Sequence, residues 1–128
     1  MIKRVTVLTS LTLLFACVQE EHLKTVTFTV DMSGMENIGN VGIRGQFTSP
    51  PWQVTLPMTD RNGDGIYELT LSETTAQSSV AFKFVNQDNV FELDCKPNRT
   101  IQFEYKPETL EYQAVFDVEG GDQKSIKP

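Results

Sequence analysis

The strongest constraint on the fold lies in residues 41–85, where short alternating runs are separated by turn chemistry too dense for a helix. VGIRGQF is stopped by Pro50 and Pro51, and LPMT leads into DRNGDG. Alternation then resumes in IYELTL and VAFKFV. Asn62-Gly63 and Asp64-Gly65 readily take positive φ, the strongest short-range hairpin signal when alternating residues flank them. Tyr67, Leu69 and Leu71 fall on one face of a strand, and Val80, Phe82 and Phe84 on one face of the next. A chain with period two on both sides of such a turn builds sheets.

The rest of the chain repeats the pattern. Val26, Phe28 and Val30 alternate with Thr25, Thr27 and Thr29, as in a half-buried strand. A turn-forming stretch at 33–40 follows. Further strands are expected at 41–47, 54–58, 66–72, 79–85, 90–94, 100–105 and 110–116. No run beyond Thr25 keeps a helical period, and the spacing of strands is that of sandwiches. The expected fold is all-β: a single antiparallel β-sandwich of seven or eight strands over residues 24–118. Residues 119–128 offer only Ile126 as an apolar anchor beyond Val118, and disorder is expected there.

The N-terminus carries an address. Lys3 and Arg4 precede an apolar-leaning run at 5–16 that is too short for a permanent membrane span, and Cys17 follows. Leu14, Phe15, Ala16 and Cys17 resemble the lipobox of bacterial lipoproteins. Residues 1–16 are therefore expected to be a signal peptide and Cys17 the lipidated first residue, with 17–23 as tether. Acyl chains at about 0.8 kcal/mol per buried methylene would hold it to a membrane. Val18 in place of Asp argues against inner-membrane retention. Gln19, Glu20 and Glu21 resemble export signals of Bacteroidota lipoproteins, which suggests outer-membrane anchoring with display at the cell surface.

Composition removes several functions. Cleavage would take away Lys3 and Arg4 and no acidic group, so the formal charge of −6 becomes about −8, and nucleic acid is an unsuitable partner. Of the two cysteines, Cys17 is assigned to lipid, which leaves Cys95 alone and rules out a disulfide framework. The single His, His22, falls in the tether, which argues against a Ser or Cys triad. A domain this small rarely builds the walled cleft that paired-carboxylate hydrolysis needs. A non-catalytic protein with no cofactor is expected.

Two constellations remain. Asp60, Asn62, Asp64 and Glu68 follow the beginning of a calcium loop, but the twelfth position, where an EF-hand places a bidentate acid, is Leu71. A hairpin tip explains the same residues without metal, and calcium is the secondary reading. Sugar recognition instead needs an aromatic face for a pyranose and a few fixed polar groups for its hydroxyls. Trp52, on a proline-stiffened loop, is a candidate platform. Lys83 lies opposite in parity to Phe82 and Phe84 and so projects outward, while Phe91 and Asn98 follow in the next hairpin region.

VTFTVDMS, VGIRGQF, PMTDRNGDGIYELTL, FKFV and PNRTI, in that order, resemble the starch-binding and glycogen-binding carbohydrate-binding modules over residues 25–116. The resemblance implies an immunoglobulin-like sandwich and an α-glucan ligand. It implies that Lys83 is the sugar-contacting lysine, that Trp52 stands near the first tryptophan of the family, that Phe91 replaces the second, and that Asn98 is close to a polar contact. Two departures from the family are visible: Thr48-Ser49-Pro50-Pro51 displaces Trp52, and Phe91 is smaller than tryptophan. A polysaccharide-binding lipoprotein is the leading reading. Its alternative is a non-catalytic β-sandwich lipoprotein that has lost sugar binding and contacts an unknown protein partner.

Overall fold

Alternation along the first strand decides which of its sides is buried. In a computed structural model, which describes residues 19–126, strand β1 (His22–Asp31) turns Val26, Phe28 and Val30 into the core and leaves the threonines between them outside. The remaining strands are β2 (Gly42–Gly45), β3 (Leu56–Pro57), β4 (Ile66–Thr75), β5 (Ser79–Asn86), β6 (Val90–Phe91), β7 (Arg99–Gln102), β8 (Glu108–Val115) and β9 (Asp122–Ser125). One sheet has the order β4-β1-β8-β9. The other has β3-β2-β5-β6, with β7 also on β5. The described residues thus form an all-β sandwich of nine strands without a helix.

Phe28, Phe82, Phe84 and Tyr112 meet between the sheets. Phe82 packs edge-on against Phe28 at 5.1 Å and Tyr112 at 5.0 Å between ring centroids. Full burial of Phe82 and of Phe84 contributes about 1.5–3 kcal/mol each. Val30, Met32, Ile43 and Ile101 complete the layer.

Several expectations are corrected. β1 and β8 run parallel, where antiparallel pairing was expected throughout. They are not consecutive: the chain crosses into the second sheet and returns between them, a connection long enough for a parallel pair. Residues 119–128 were expected to be disordered, yet residues 122–125 form β9 against β8. Its residues are all exposed, so backbone pairing and the bonds of Gln123 to Gln102 hold it, not apolar burial. The strand expected at 90–94 ends at Phe91, because Leu93 and Cys95 take left-handed backbone with φ of 53° and 58°.

The tether also ends sooner than 23, since β1 starts at His22. Lys24 lies within that strand. Its buried ammonium donates to the carbonyls of Glu104 and Lys106 and to Glu108 Oε2 at 2.8 Å. The signal peptide at 1–16 and the lipidation assigned to Cys17 lie outside the described residues.

A second buried ion pair ties the opposite edge. Arg99 grips Glu92 through Nε at 2.7 Å and Nη2 at 2.8 Å, with side chains only 2 % and 0 % exposed. Arg99 also donates to the carbonyls of Val115, Val118 and Gly120, and Glu92 accepts from the amides of Phe84 and Asp117. Burial disfavours the Arg99 charge, but the hydrogen bond and charge of Glu92, together with a smaller contribution from Tyr112, outweigh it, so the guanidinium holds its proton more firmly than usual.

Candidate functional site

The outer face of the five-stranded sheet follows from parity. Because side chains alternate along a strand, residues out of phase with Ile43, Phe82 and Phe84 point away from the core. These are Gly42, Arg44, Lys83 and Val85, and the register Gly42↔Val85, Arg44↔Lys83 and Val85↔Phe91 puts them on one face with Phe91. The loop after β2 folds back over that face. A Cβ on Gly42 would lie 2.3 Å from Thr55 Cγ2, so only glycine lets the loop settle there.

Trp52 sits in that loop with φ of 65°, a left-handed conformation that costs a residue with a Cβ roughly 1–2 kcal/mol. Its amide donates to Gly45 O at 3.1 Å and to Thr48 Oγ1 at 2.9 Å. The buried Thr48 hydroxyl in turn donates to Gly45 O at 2.8 Å. The indole is half-buried and outside the core cluster. A strained backbone that local bonds over-determine, carrying a large ring at the surface, is the kind of outlier that points towards function.

Arg44 joins the parts. Its Nε donates to Thr55 Oγ1 at 2.7 Å, Nη1 to Trp52 O at 3.4 Å and Nη2 to Asp88 O at 2.9 Å. Its guanidinium carbon lies 5.5 Å from the Phe91 ring centroid, within cation–π range. Phe91 is 38 % exposed, so its ring is available at the surface. Thr55 Oγ1 donates to Asp88 O at 2.6 Å and closes the network. Arg44 was missed in the sequence, although it shares the parity of Lys83. The role of Thr55 and of the Asp88 carbonyl had no local signal at all.

Lys83 is half-buried and anchored. Its ammonium donates to Leu93 O at 2.8 Å and Lys96 O at 3.2 Å, which leaves one of three protons without an acceptor among the described residues. Two cations in direct register repel; here each is drawn to different carbonyls. Asn98 is not brought to this patch. It lines a separate cleft of about 370 Å³ with Pro97, Tyr112, Glu119 and Gln123.

The hairpin carboxylates are used internally. Asp60 Oδ1 accepts from Gly63 N at 2.9 Å and Asp64 N at 3.2 Å, and Oδ2 accepts from Gly65 N at 2.9 Å. The Gly65 amide foremost, with those of Gly63 and Asp64, holds the Asp60 carboxyl below its ordinary pKa. Asp64 Oδ1 accepts from Ile66 N at 2.9 Å. These bonds build the turn.

No family model matches the chain, and no curated protein does. Among solved structures, the chain is similar to the solution structure of CBM25-1 of the beta/alpha-amylase from Paenibacillus polymyxa. The identity is 17 % and the TM-score 0.48, over 83 % of this chain and 95 % of that one.

Proposed function

We propose that the chain is a non-catalytic carbohydrate-binding module that stacks an α-glucan on Trp52 and Phe91, with the remaining proton of Lys83 directed to a sugar hydroxyl. The observation that carries this reading is the half-exposed indole of Trp52, held in left-handed backbone by Gly45 and Thr48 and tied through Arg44 to the exposed ring of Phe91. Both rings are positioned before any ligand arrives, which lowers the ordering cost of binding. Asn98 stays outside this minimal site. The hairpin serves as structure, with Asp60 engaged by amides, and needs no metal.

On this reading Cys17 anchors the module at the outer membrane, and many copies on one surface hold a polymer by avidity where a single site is weak. Titration with maltooligosaccharides tests the proposal through the single tryptophan. A saturable fluorescence change is expected, together with retardation on starch or glycogen gels that Trp52→Ala abolishes without unfolding. An unresponsive indole and no retardation of the unmodified protein would sink it.

A further inference from the structure

The segment that anchors Lys83 also walls the cleft that holds Asn98. Leu93 and Lys96 offer their carbonyls to the Lys83 ammonium, while Leu93, Pro97 and Asn98 line the cleft. Its volume of about 370 Å³ is at the small end of ligand pockets, which run from roughly 300 to 1,000 Å³. It suits one sugar residue rather than a chain.

Tyr112 reaches this cleft from the core. Its ring packs edge-on against Phe82 and the residue is only 5 % exposed. Its hydroxyl lies against Gly121, where a Cβ would collide with it. Gly121 is exposed and lines the cleft, so the missing side chain there keeps the hydroxyl open to the cleft. The hydroxyl also supports the charge of Arg99. A guanidinium only donates, so the Tyr112 oxygen accepts on that side and its own proton remains for another group. Thr29 bonds the Tyr112 carbonyl, and no described residue accepts the hydroxyl proton. A hydroxyl fixed by a buried ring is thus a pre-set donor for whatever fills the cleft.

The rest of the lining narrows the ligand. Gln123 is spent on the backbone of Gln102, but the exposed side chains of Asn98 and Glu119 make no hydrogen bond among the described residues. The Asn98 amide both donates and accepts, and the Glu119 carboxylate only accepts. Donors and acceptors side by side match groups that do both, which are hydroxyls. Glu119 and the net charge of −6 disfavour an anion, and a single carboxylate falls short of the six to eight oxygens, several of them charged, that roughly define a calcium site. We propose that this cleft is a second saccharide site that holds one pyranose, with the Tyr112 hydroxyl and the Asn98 amide donating to its hydroxyls and Glu119 accepting from them. It uses neither Trp52 nor Phe91, and it selects a single sugar residue or a chain end where the stacking face takes the length of a chain.

Amide NMR titration of the full-length protein with glucose tests this, with tryptophan fluorescence during a maltooligosaccharide titration reporting Trp52 alone. Saturable shifts are expected at Asn98, Gly120 and Gly121. Tyr112→Phe keeps the ring in the core and removes only the hydroxyl, and Asn98→Ala alters only an exposed side chain. Each should weaken the glucose midpoint roughly threefold to tenfold, the worth of one hydrogen bond, and leave the Trp52 midpoint unchanged. Absent or non-saturating shifts at those amides, equal shifts with glycerol, or an unchanged glucose midpoint in both variants would each overturn the proposal. A silent cleft beside a responsive Trp52 overturns this site and leaves the stacking site standing; a responsive cleft beside a silent Trp52 does the reverse.

Discussion

Two arginines lie over two phenylalanine rings at the same distance, and they behave differently. Arg99 is 5.5 Å from the centroid of Phe84 inside the sandwich, and Arg44 is 5.5 Å from that of Phe91 on its outer face. The buried guanidinium requires a carboxylate and has Glu92 in two-point contact. The outer one is held by Thr55 and two backbone carbonyls and makes no salt bridge among the described residues. Removal from water forces full compensation of charge. A half-open surface lets a cation be positioned by neutral acceptors, and that is the setting in which neutral polyol hydroxyls can compete.

The largest effect should come from breaking the buried pair. Glu92→Ala leaves Arg99 unpaired and should cost about 3–5 kcal/mol in urea unfolding. Replacing both partners, Glu92→Leu with Arg99→Met, should fail to restore stability. The amides of Phe84 and Asp117 and the carbonyls of Val115, Val118 and Gly120 would still lose their partners. A stable double variant would show that the pair is dispensable packing.

Arg44→Ala should reverse the emphasis. Loss of folding stability of about 1 kcal/mol is expected, with roughly tenfold weaker maltooligosaccharide binding, worth about 1.4 kcal/mol. Equal effects of Arg44→Ala and Glu92→Ala on unfolding would erase the distinction between the two sites. Trp52→Gly separates strain from function in the outer region: relief of left-handed backbone should offset the lost ring packing, leaving the melting temperature within a few degrees, while gel retardation disappears.

The smallest effect concerns the hairpin. Asp60 is held below the ordinary value of 3.8, so its contribution is fully present above that pH and is lost as pH falls through the lower folded value. Asp60→Asn should lower the melting temperature at neutral pH and flatten its decline in acid. Calcium or EDTA should leave the melting temperature of the unmodified protein unchanged, and a calcium-dependent rise would restore the metal reading.

Much of the sandwich was legible because burial on one face imposes period two. Val26, Phe28 and Val30 in β1, and Val80, Phe82 and Phe84 in β5, announced their side, and Asn62 to Gly65 announced the turn. The site was legible only in part. Lys83 and Phe91 share the outer face, and Trp52 lies on the loop that folds over it. Asn98, near them in sequence, belongs to another cleft because Leu93 and Cys95 turn the chain away. The tail looked unanchored because its anchor is backbone pairing, which side-chain pattern does not record.

From its sequence alone this protein is a chain of short strands with a tight hairpin and an inward aromatic layer, since those properties depend on neighbours two to four residues away. Only the tertiary structure decided which polar groups meet. Lys24 reaches Glu104, Lys106 and Glu108, and Arg44 reaches Asp88, across separations that no local pattern encodes. Burial demands that the Lys24 charge find a partner, and for both residues the partner is whichever group the packed sheets bring within reach.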